Sequence, residues 1–202
     1  MAMEQAMRAD ADKPAAEPVE RVEGIAERLA FKSRFALVFG EIGHQLARTT
    51  CERLIALAQE SDAPITVLVS SPGGHVESAD AIHDVIRFIR APVTTVGTGW
   101  VASAGTHVFL AAPKERRVCL PNTRFMIHQP GGGAGGPATD IAIQAKEILR
   151  TRERIARVIA KQTGKTYEKV LADMERDFWM NAAEAVEYGI VSRVIESSRE
   201  LT

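Results

Sequence analysis

The stretch Pro92-Val-Thr-Thr-Val-Gly-Thr-Gly-Trp-Val-Ala-Ser-Ala-Gly105 decides the fold, because a strand passes through a turn into a helix within it. Its first part, residues 92–96, is rich in β-branched side chains and predicts a strand. The apolar run over residues 104–112 predicts a buried helix. Small residues lie between the two, so the stretch predicts one βα unit with Ser103 where the strand gives way to the helix.

The same alternation of strand and helix extends towards the N-terminus. Apolar runs predict strands over residues 35–39 and 65–69, the second with both faces covered. Helical spacing of apolar side chains predicts a helix over residues 50–59 and another between Ser71-Pro-Gly-Gly74 and Pro92. Repeated βα units predict an α/β domain with a largely parallel sheet and right-handed crossovers.

Towards the C-terminus, short apolar runs predict strands over residues 117–120 and 124–127. The glycine-rich segment 131–136 precedes a long amphipathic pattern that predicts a helix over residues 138–162. A helix of that length extends about 37 Å, which is more than a compact domain of this size needs. We therefore expect it to project and to meet another subunit.

The remaining residues predict four short elements. They are a helix over residues 167–175, an extended piece over 177–180, a helix capped by Asn181 that ends at Gly189, and a strand over 190–195.

Composition limits the class of protein. With 202 residues the chain fits one domain with its own core. Lys and Arg number 25 against 26 for Asp and Glu, and the net charge of −1 argues against nucleic acid or an anionic membrane as a partner. We expect residues 1–20 to be a disordered tail or propeptide and residues 21–202 to be a single domain.

Cellular location is predicted from the same data. Residues 1–20 have neither the basic nor the apolar region of a secretory signal. The chain has no apolar run long enough to cross a bilayer. Cys51 and Cys119 lie in apolar patterns without a metal-binding spacing, which predicts buried thiols in a reducing compartment and no metal site. We expect a cytoplasmic protein.

Ser103 is open to two interpretations at this point. Small residues around a serine are common where a helix packs tightly on a strand. A serine at a strand end is also a candidate nucleophile, provided that a base and oxyanion donors lie beside it. Val101 stands where the Gly-x-Ser-x-Gly motif has its first glycine, so an ordinary α/β-hydrolase is disfavoured.

Candidates for those other parts lie far apart along the chain. His128 directly follows a predicted strand, which suits a general base, whereas His107 lies in the predicted buried helix and suits a structural role. We expect His75 and His83 to be solvated or to support the site. Asp177 adjoins two aromatic residues, and of the aspartates that could orient a histidine we expect it to be partly buried.

The turn at Ser71-Pro-Gly-Gly74 is also open to two interpretations. It can be a plain turn, because glycine tolerates positive φ. It can also present the N–H groups of Gly73 and Gly74 to an oxyanion or to a substrate strand.

A set of separated motifs favours the functional interpretations of Ser103 and of the glycine turn, because together these motifs resemble the proteolytic subunits of the ATP-dependent Clp protease. The motifs are Ser71-Pro-Gly-Gly74, residues 99–105, Leu120-Pro-Asn122, Met126-Ile-His-Gln-Pro130, Ala138-Thr-Asp-Ile141, Lys146-Glu-Ile-Leu149, Glu175-Arg-Asp177 and Ala185-Val-Glu-Tyr-Gly189. They stand in the family's order across residues 35–195.

The resemblance implies a fold and a site. The fold is the α/β ββα spiral related to the crotonases, with a projecting handle over about residues 130–162. The implied catalytic triad is Ser103, His128 and Asp177, with an oxyanion hole from the N–H groups of Gly74 and Ala104. Substrate binding is implied for two short segments around the site: Gly73 and His75, and Gln129 and Pro130.

The resemblance further implies two stacked heptameric rings that enclose a chamber. An AAA+ unfoldase of the ClpX or ClpA type feeds unfolded polypeptides into it, so the chain itself needs no cofactor and ATP is used by the partner. Three departures from the family pattern stand out. Ala104 replaces a methionine, residues 131–136 are richer in glycine, and residues 18–32 lack the usual Gly-Glu-Arg and Tyr-Asp-Ile-Tyr signature.

The leading hypothesis is therefore a Clp-type serine endopeptidase. An alternative, prompted by the divergent residues 18–32, is a weakly active or regulatory ring subunit that partners a more typical proteolytic subunit. A crotonase-like acyl-CoA enzyme is the third possibility, because that fold is shared.

Overall fold

The computed structural model describes residues 22–133 and 135–201, so the tail expected at residues 1–20 lies outside the described part. The chain divides between Ser33 and Arg34 into two compact units. Helix α1 (Val22–Lys32) belongs to the first unit, and all the other elements belong to the second.

The second unit alternates strands and helices. Its strands are β1 (Phe35–Phe39), β2 (Ile65–Ser71), β3 (Val93–Ala102), β4 (Arg117–Cys119), β5 (Arg124–Ile127), β6 (Phe178–Met180) and β7 (Arg193–Val194). Its helices are α2 (His44–Glu60), α3 (Val76–Phe88), α4 (Ala104–Phe109), α5 (Ala138–Thr163), α6 (Tyr167–Asp173) and α7 (Ala182–Tyr188), with short 3-10 turns at Lys114–Arg116 and Ser198–Glu200.

One sheet contains the seven strands of the described residues, and five follow the order β1-β2-β3-β4-β7. Strand β3 has two partners: Thr95–Gly97 pairs with β4, and Trp100–Ala102 pairs with β5. Strand β6 runs antiparallel to β5, and the other pairs are parallel. The largely parallel sheet is therefore confirmed, and β6 is its antiparallel exception.

Strand β3 and helix α2 extend furthest beyond the bounds that their sequence patterns predict. Strand β3 was expected to end at Val96, yet it continues to Ala102, because its second half gains a new partner in β5 after β4 ends. Helix α2 begins at His44 rather than at Thr50, and its polar first turn hides the start. Its buried side chains begin only at Ala47.

Helix α4 and strand β7 fall furthest short of their predicted lengths. Helix α4 ends at Phe109 instead of Ala112, although the residues that follow it remain buried. Only Arg193 and Val194 of the expected strand over 190–195 pair with β4. In both places the apolar run continues past the element, because burial does not require regular hydrogen bonding.

The long helix was predicted correctly as α5, which spans 26 residues. Its first half is exposed, including Ile141, Ile143 and Leu149, and its buried positions begin at Ala156. Gly164 ends it in the left-handed conformation, with φ 77°. The helix thus extends well beyond the part of it that packs in this unit.

Burial of the two thiols differs from the prediction. Cys119 is fully buried, and burial raises its pKa to about 11. Cys51 was expected to be buried too, but it is only half-buried on α2, because its position lies at the edge of the helix's apolar face. Among the residues with described structure, no helix is long and apolar enough to span a membrane.

Candidate active site

Ser103 forms the turn between β3 and α4, where strand becomes helix within one residue. Its backbone has φ 54° and ψ −122°, a strained conformation for a residue with a side chain. The Ser103 amide donates to the Met126 carbonyl at 2.9 Å. Thr106 Oγ1 lies 2.8 Å from the Val101 carbonyl and 2.9 Å from that of Met126. These contacts hold the strained turn between β3 and β5.

Strand pairing brings three distant residues to one place. Strand β5 lies between β3 and β6, parallel to the first and antiparallel to the second. Ser103 follows the last residue of β3, His128 follows the last residue of β5, and Asp177 precedes the first residue of β6. In this register the three side chains meet at the same end of the strands.

The three side chains form a continuous hydrogen-bonded chain. Ser103 Oγ lies 2.8 Å from His128 Nε2, and His128 Nδ1 lies 2.9 Å from Asp177 Oδ1. With its Nδ1–H donated to a carboxylate, the imidazole leaves Nε2 as an acceptor for the serine proton. This is the geometry in which a histidine can act as general base on a hydroxyl.

Exposure of the acid differs from the prediction. The Asp177 side chain is 61% exposed and that of His128 is 31% exposed, so the expected partial burial of Asp177 is wrong. Its aromatic neighbours do not cover it, because Trp179 is itself exposed. Asp173 is the enclosed carboxylate of this region, and it accepts a hydrogen bond from the Tyr188 hydroxyl at 2.8 Å.

Two backbone amides in segments next to Ser103, those of Ala104 and Gly74, are the candidate oxyanion donors. Ala104 is the first residue of α4, so its N–H has no partner within the helix. The Ile42 amide donates to the Gly73 carbonyl, and the Ile42 carbonyl accepts from the His75 amide. The Gly74 N–H therefore faces away from Ile42 on this extended segment. Gly73 packs directly on Ser103, since a Cβ at Gly73 would lie 2.6 Å from Ser103 Cβ. Donors in such positions can stabilise an oxyanion.

A pocket adjoins Ser103 and His128. Helices α3, α4 and α5 contribute Ala79, His107 and Ile155 to its wall. The other lining residues are Val76, Ala104, Ile127, Pro130 and Ile159. The wall is apolar except at His107 and at Ser103 and His128 themselves, so it suits an apolar group of a ligand.

Comparison with known proteins assigns the family. Residues 18–198 match the Clp protease family. The chain belongs to this family. It is 54% identical to the ATP-dependent Clp protease proteolytic subunit 2 of Gluconobacter oxydans, over 99% of this chain and 89% of that protein. Subunit 2 of the same name from Pseudomonas aeruginosa is 52% identical over 86% of each chain.

Solved structures agree on the fold. The chain is similar to ClpP1 from Listeria monocytogenes, with a TM-score of 0.79 and 48% identity over 88% of this chain and 99% of that one. The predicted membership in the Clp protease family and the α/β spiral fold are thereby confirmed. Clp protease proteolytic subunits are peptidases, so the arrangement around Ser103 lies in a peptidase fold.

The residues predicted to bind substrate lie near this site of the Clp protease fold. His75 caps α3 instead of lying within it, and its Nδ1 accepts from the Ser78 amide at 3.3 Å. The backbone N–H of Gln129 donates to the Met174 carbonyl at 2.7 Å, and its side-chain Nε2 donates to the Glu175 carbonyl at 3.0 Å. Pro130 lines the pocket. A role of these residues in binding substrate stays a prediction.

A polar cluster behind the pocket was missed from the sequence. His107 Nε2 lies 2.9 Å from Asp80 Oδ1, and the His107 ring stacks on that of His83 with centroids 4.5 Å apart. His83 was expected to be solvated or to support the site; solvation is wrong, because His83 is 8% exposed, and its stacking on His107 places it behind the pocket wall. Burial, and then the proximity of His107, lowers the pKa of His83 to about 4. Helical spacing places Asp80 and His83 on one face of α3, but no local pattern links that face to His107 on the next helix.

Gly73 provides a direct test of the close approach to Ser103. Replacing Gly73 with Ala is expected to lower kcat/KM for peptide cleavage by about 10²-fold or more, because the added Cβ displaces Ser103 and the adjacent donors. The glycine also has φ 103°, which strains any side chain.

The matched control is Gly43→Ala, since Gly43 has φ −122° and no atom within 4 Å of an added Cβ. Peptide cleavage rates of both variants, with thermal unfolding to verify folding, provide the measurement. Equal activity of the two variants would contradict the assigned contact.

Proposed function

We propose that this member of the Clp protease family is a serine endopeptidase that cleaves unfolded proteins and peptides. Ser103 is the nucleophile, His128 is the general base and then the general acid, and Asp177 orients the imidazole. The observation that carries this proposal is the chain of hydrogen bonds, 2.8 Å from Ser103 to His128 and 2.9 Å from His128 to Asp177.

The proposed reaction follows acyl-transfer chemistry. Ser103 Oγ attacks the peptide carbonyl while its proton passes to His128 Nε2, and the bond from His128 Nδ1–H to Asp177 stabilises the imidazolium. The N–H groups of Gly74 and Ala104 bind the oxyanion of the tetrahedral intermediate. His128 then protonates the leaving amine, and water releases the acyl group by the same proton route. The chain needs no cofactor for these steps.

Substrate binding follows from the surroundings of Ser103. The apolar pocket receives one side chain of the substrate, beside the bond to be cut. The segments that contain Gly73 and His75 on one side, and Gln129 and Pro130 on the other, hold the substrate backbone extended. The backbone N–H of Gln129 already donates to Met174, so the backbone carbonyl of Gln129 is the main-chain group left for the substrate. One N–H of its side-chain amide is also used, by the Glu175 carbonyl.

Assembly into two stacked heptameric rings around a chamber is part of the proposal. The exposed apolar side chains Ile141, Ile143 and Leu149 on the first half of α5 need a covering surface, which a second ring supplies. The relatives from Gluconobacter and Pseudomonas are named as subunits of an ATP-dependent protease. We therefore propose that an AAA+ unfoldase of the ClpX or ClpA type supplies unfolded chains in the cytoplasm, and that it uses the ATP.

A fluorophosphonate probe tests the proposed nucleophile. We expect the full-length protein to be labelled once per chain, with the adduct on the peptide that contains Ser103, because only an activated serine attacks phosphorus at a useful rate. Mass spectrometry of the digested protein locates the adduct. Prior unfolding in denaturant is expected to abolish labelling, which separates activation by the fold from intrinsic reactivity.

Two results would argue against the proposal. An assembled protein that takes up no probe and cleaves no peptide lacks the activated serine. Turnover of acyl-CoA thioesters without peptide cleavage would instead favour the crotonase-like alternative.

A further inference from the structure

Asp80 joins three helices behind the pocket. From its position on α3, its two carboxylate oxygens accept from Arg154 of α5, at 2.6 Å from Nη1 and 2.7 Å from Nη2. Oδ1 also lies 2.9 Å from Nε2 of His107, which belongs to α4. A two-pronged guanidinium–carboxylate pair fixes orientation as well as distance. These three side chains form a clamp between the helices, which we call the Asp80 clamp.

Each helix of the clamp also forms part of the pocket wall. Ala79 precedes Asp80, Ile155 follows Arg154, and His107 itself lines the pocket. The positions of the three wall residues therefore depend on the distances that the Asp80 clamp imposes. No side chain of the clamp is hydrogen-bonded to Ser103 or His128 in the described part of the chain, although the His107 backbone amide donates to the Ser103 carbonyl at 3.3 Å. The effect of the three side chains on the site therefore passes through the wall.

Helix α5 has particular need of such an attachment. Its first half is exposed, and its buried positions begin at Ala156, two residues after Arg154. The pair with Asp80 thus lies at the start of the buried half of the helix, two residues after the pair of Arg152 with Glu175. Burial by itself raises the pKa of Asp80, but the hydrogen bonds from His107 and Arg154 outweigh it and hold the pKa well below its usual value. The carboxylate is therefore charged at any pH at which the protein is assayed.

We propose that Asp80 and Arg154 are positioning residues that set the width of the substrate pocket, and so its preference between large and small apolar side chains. The inference rests on the proposed peptidase function of Ser103. Loss of the clamp lets α5 move relative to α3, so the pocket no longer encloses a large side chain closely. A small substrate side chain makes few contacts with the wall, so its binding is weakened little.

The test compares Asp80→Asn, Arg154→Gln and the double variant in the full-length protein. Asp62→Asn is the control, because Asp62 and Arg90 form an aspartate–arginine pair that is exposed on both sides. The substrates are two peptides that differ only in a Leu or an Ala before the cleaved bond. A small fluorophosphonate without a peptide chain reports the reactivity of Ser103 independently of the pocket.

We expect the ratio of kcat/KM for Leu over Ala to fall by about tenfold in each single variant, mainly through a higher KM for the Leu peptide. The Leu-over-Ala ratio of the double variant should fall no further than that of either single variant, because both substitutions remove the same ion pair. The rate of fluorophosphonate labelling should stay within about twofold of the wild type. Arg154→Lys keeps the positive charge but loses the two-pronged guanidinium, so its Leu-over-Ala ratio of kcat/KM should lie between those of the wild type and Arg154→Gln.

The outcomes separate the two proposals. A wild-type protein that neither reacts with the probe nor cleaves either peptide overturns the peptidase function, and the clamp's role with it. An active wild type whose Leu-to-Ala ratio is unchanged in Asp80→Asn and Arg154→Gln overturns the clamp alone. Parallel losses on both peptides and on the probe show a general structural role, which also overturns it.

Discussion

Replacing Ser103 with Ala is expected to lower kcat for peptide cleavage by about 10⁴-fold or more, to the level that binding and the oxyanion donors give without a nucleophile. The effect is large because the hydroxyl oxygen is the atom that bonds to the substrate, and in the described part of the chain no other hydroxyl lies within hydrogen-bonding distance of His128. Folding should be unaffected, since the Ser103 side chain bonds only to His128 there.

Initial rates on a fluorogenic peptide measure this loss, and Ser61→Ala, at an exposed serine after α2, is the control. The assembly state also has to be compared, because activity inside a ring depends on the ring. Cleavage that persists in pure Ser103→Ala contradicts the assigned nucleophile. Cleavage that survives only when a second Clp subunit co-purifies supports the alternative of a regulatory ring subunit.

The sequence predicts the elements around the site well because each one carries a local signal. The apolar run before His128 ends where β5 ends, so His128 was correctly placed at a strand end. Ser103 lies between strand and helix as predicted, although β3 reaches it only by continuing six residues past the expected end. Asn181 and Gly189 bound α7 as predicted, since caps depend on neighbouring residues only.

Pairing between strands could not be read from local patterns. That β5 lies between β3 and β6 depends on the second half of β3, where Gly97 and Gly99 suggest a turn. Without knowledge of that pairing, the sequence cannot predict that His128 and Asp177 lie close together. Resemblance to the Clp protease family assigned Asp177 to the triad. The local argument also favoured Asp177, but it rested on a partial burial that the side chain, 61% exposed, does not have.

The Asp80 clamp escaped sequence analysis for a related reason. Its members lie on three helices, and Asp80 and Arg154 are 74 positions apart. A charged residue beside an apolar helix face is normally solvated, so Asp80 gave no sign of a buried partner. Asp80 and Arg154 come into contact only because α3 and α5 pack against each other behind the pocket.

Asp177→Asn is expected to lower kcat by roughly 10³-fold, with KM nearly unchanged. An amide can turn its NH₂ towards His128 Nδ1, which places the imidazole proton on Nε2, where it can no longer accept from Ser103. Full burial of the acid would place the loss near ~10⁴-fold. Because the Asp177 side chain is 61% exposed, water can partly replace it, and we expect the smaller value.

Asp173→Asn separates this role from the mere presence of a carboxylate nearby. Asp173 binds the Tyr188 hydroxyl and the Lys169 ammonium. Burial, and then the bond to Asp173, raises the pKa of Tyr188. Its replacement should lower the unfolding temperature and leave kcat of the folded protein unchanged. Steady-state rates and thermal unfolding of both variants provide the comparison. A loss of kcat in Asp173→Asn with normal turnover in Asp177→Asn would reverse the assignment, because the enclosed carboxylate would then be the one that acts on His128.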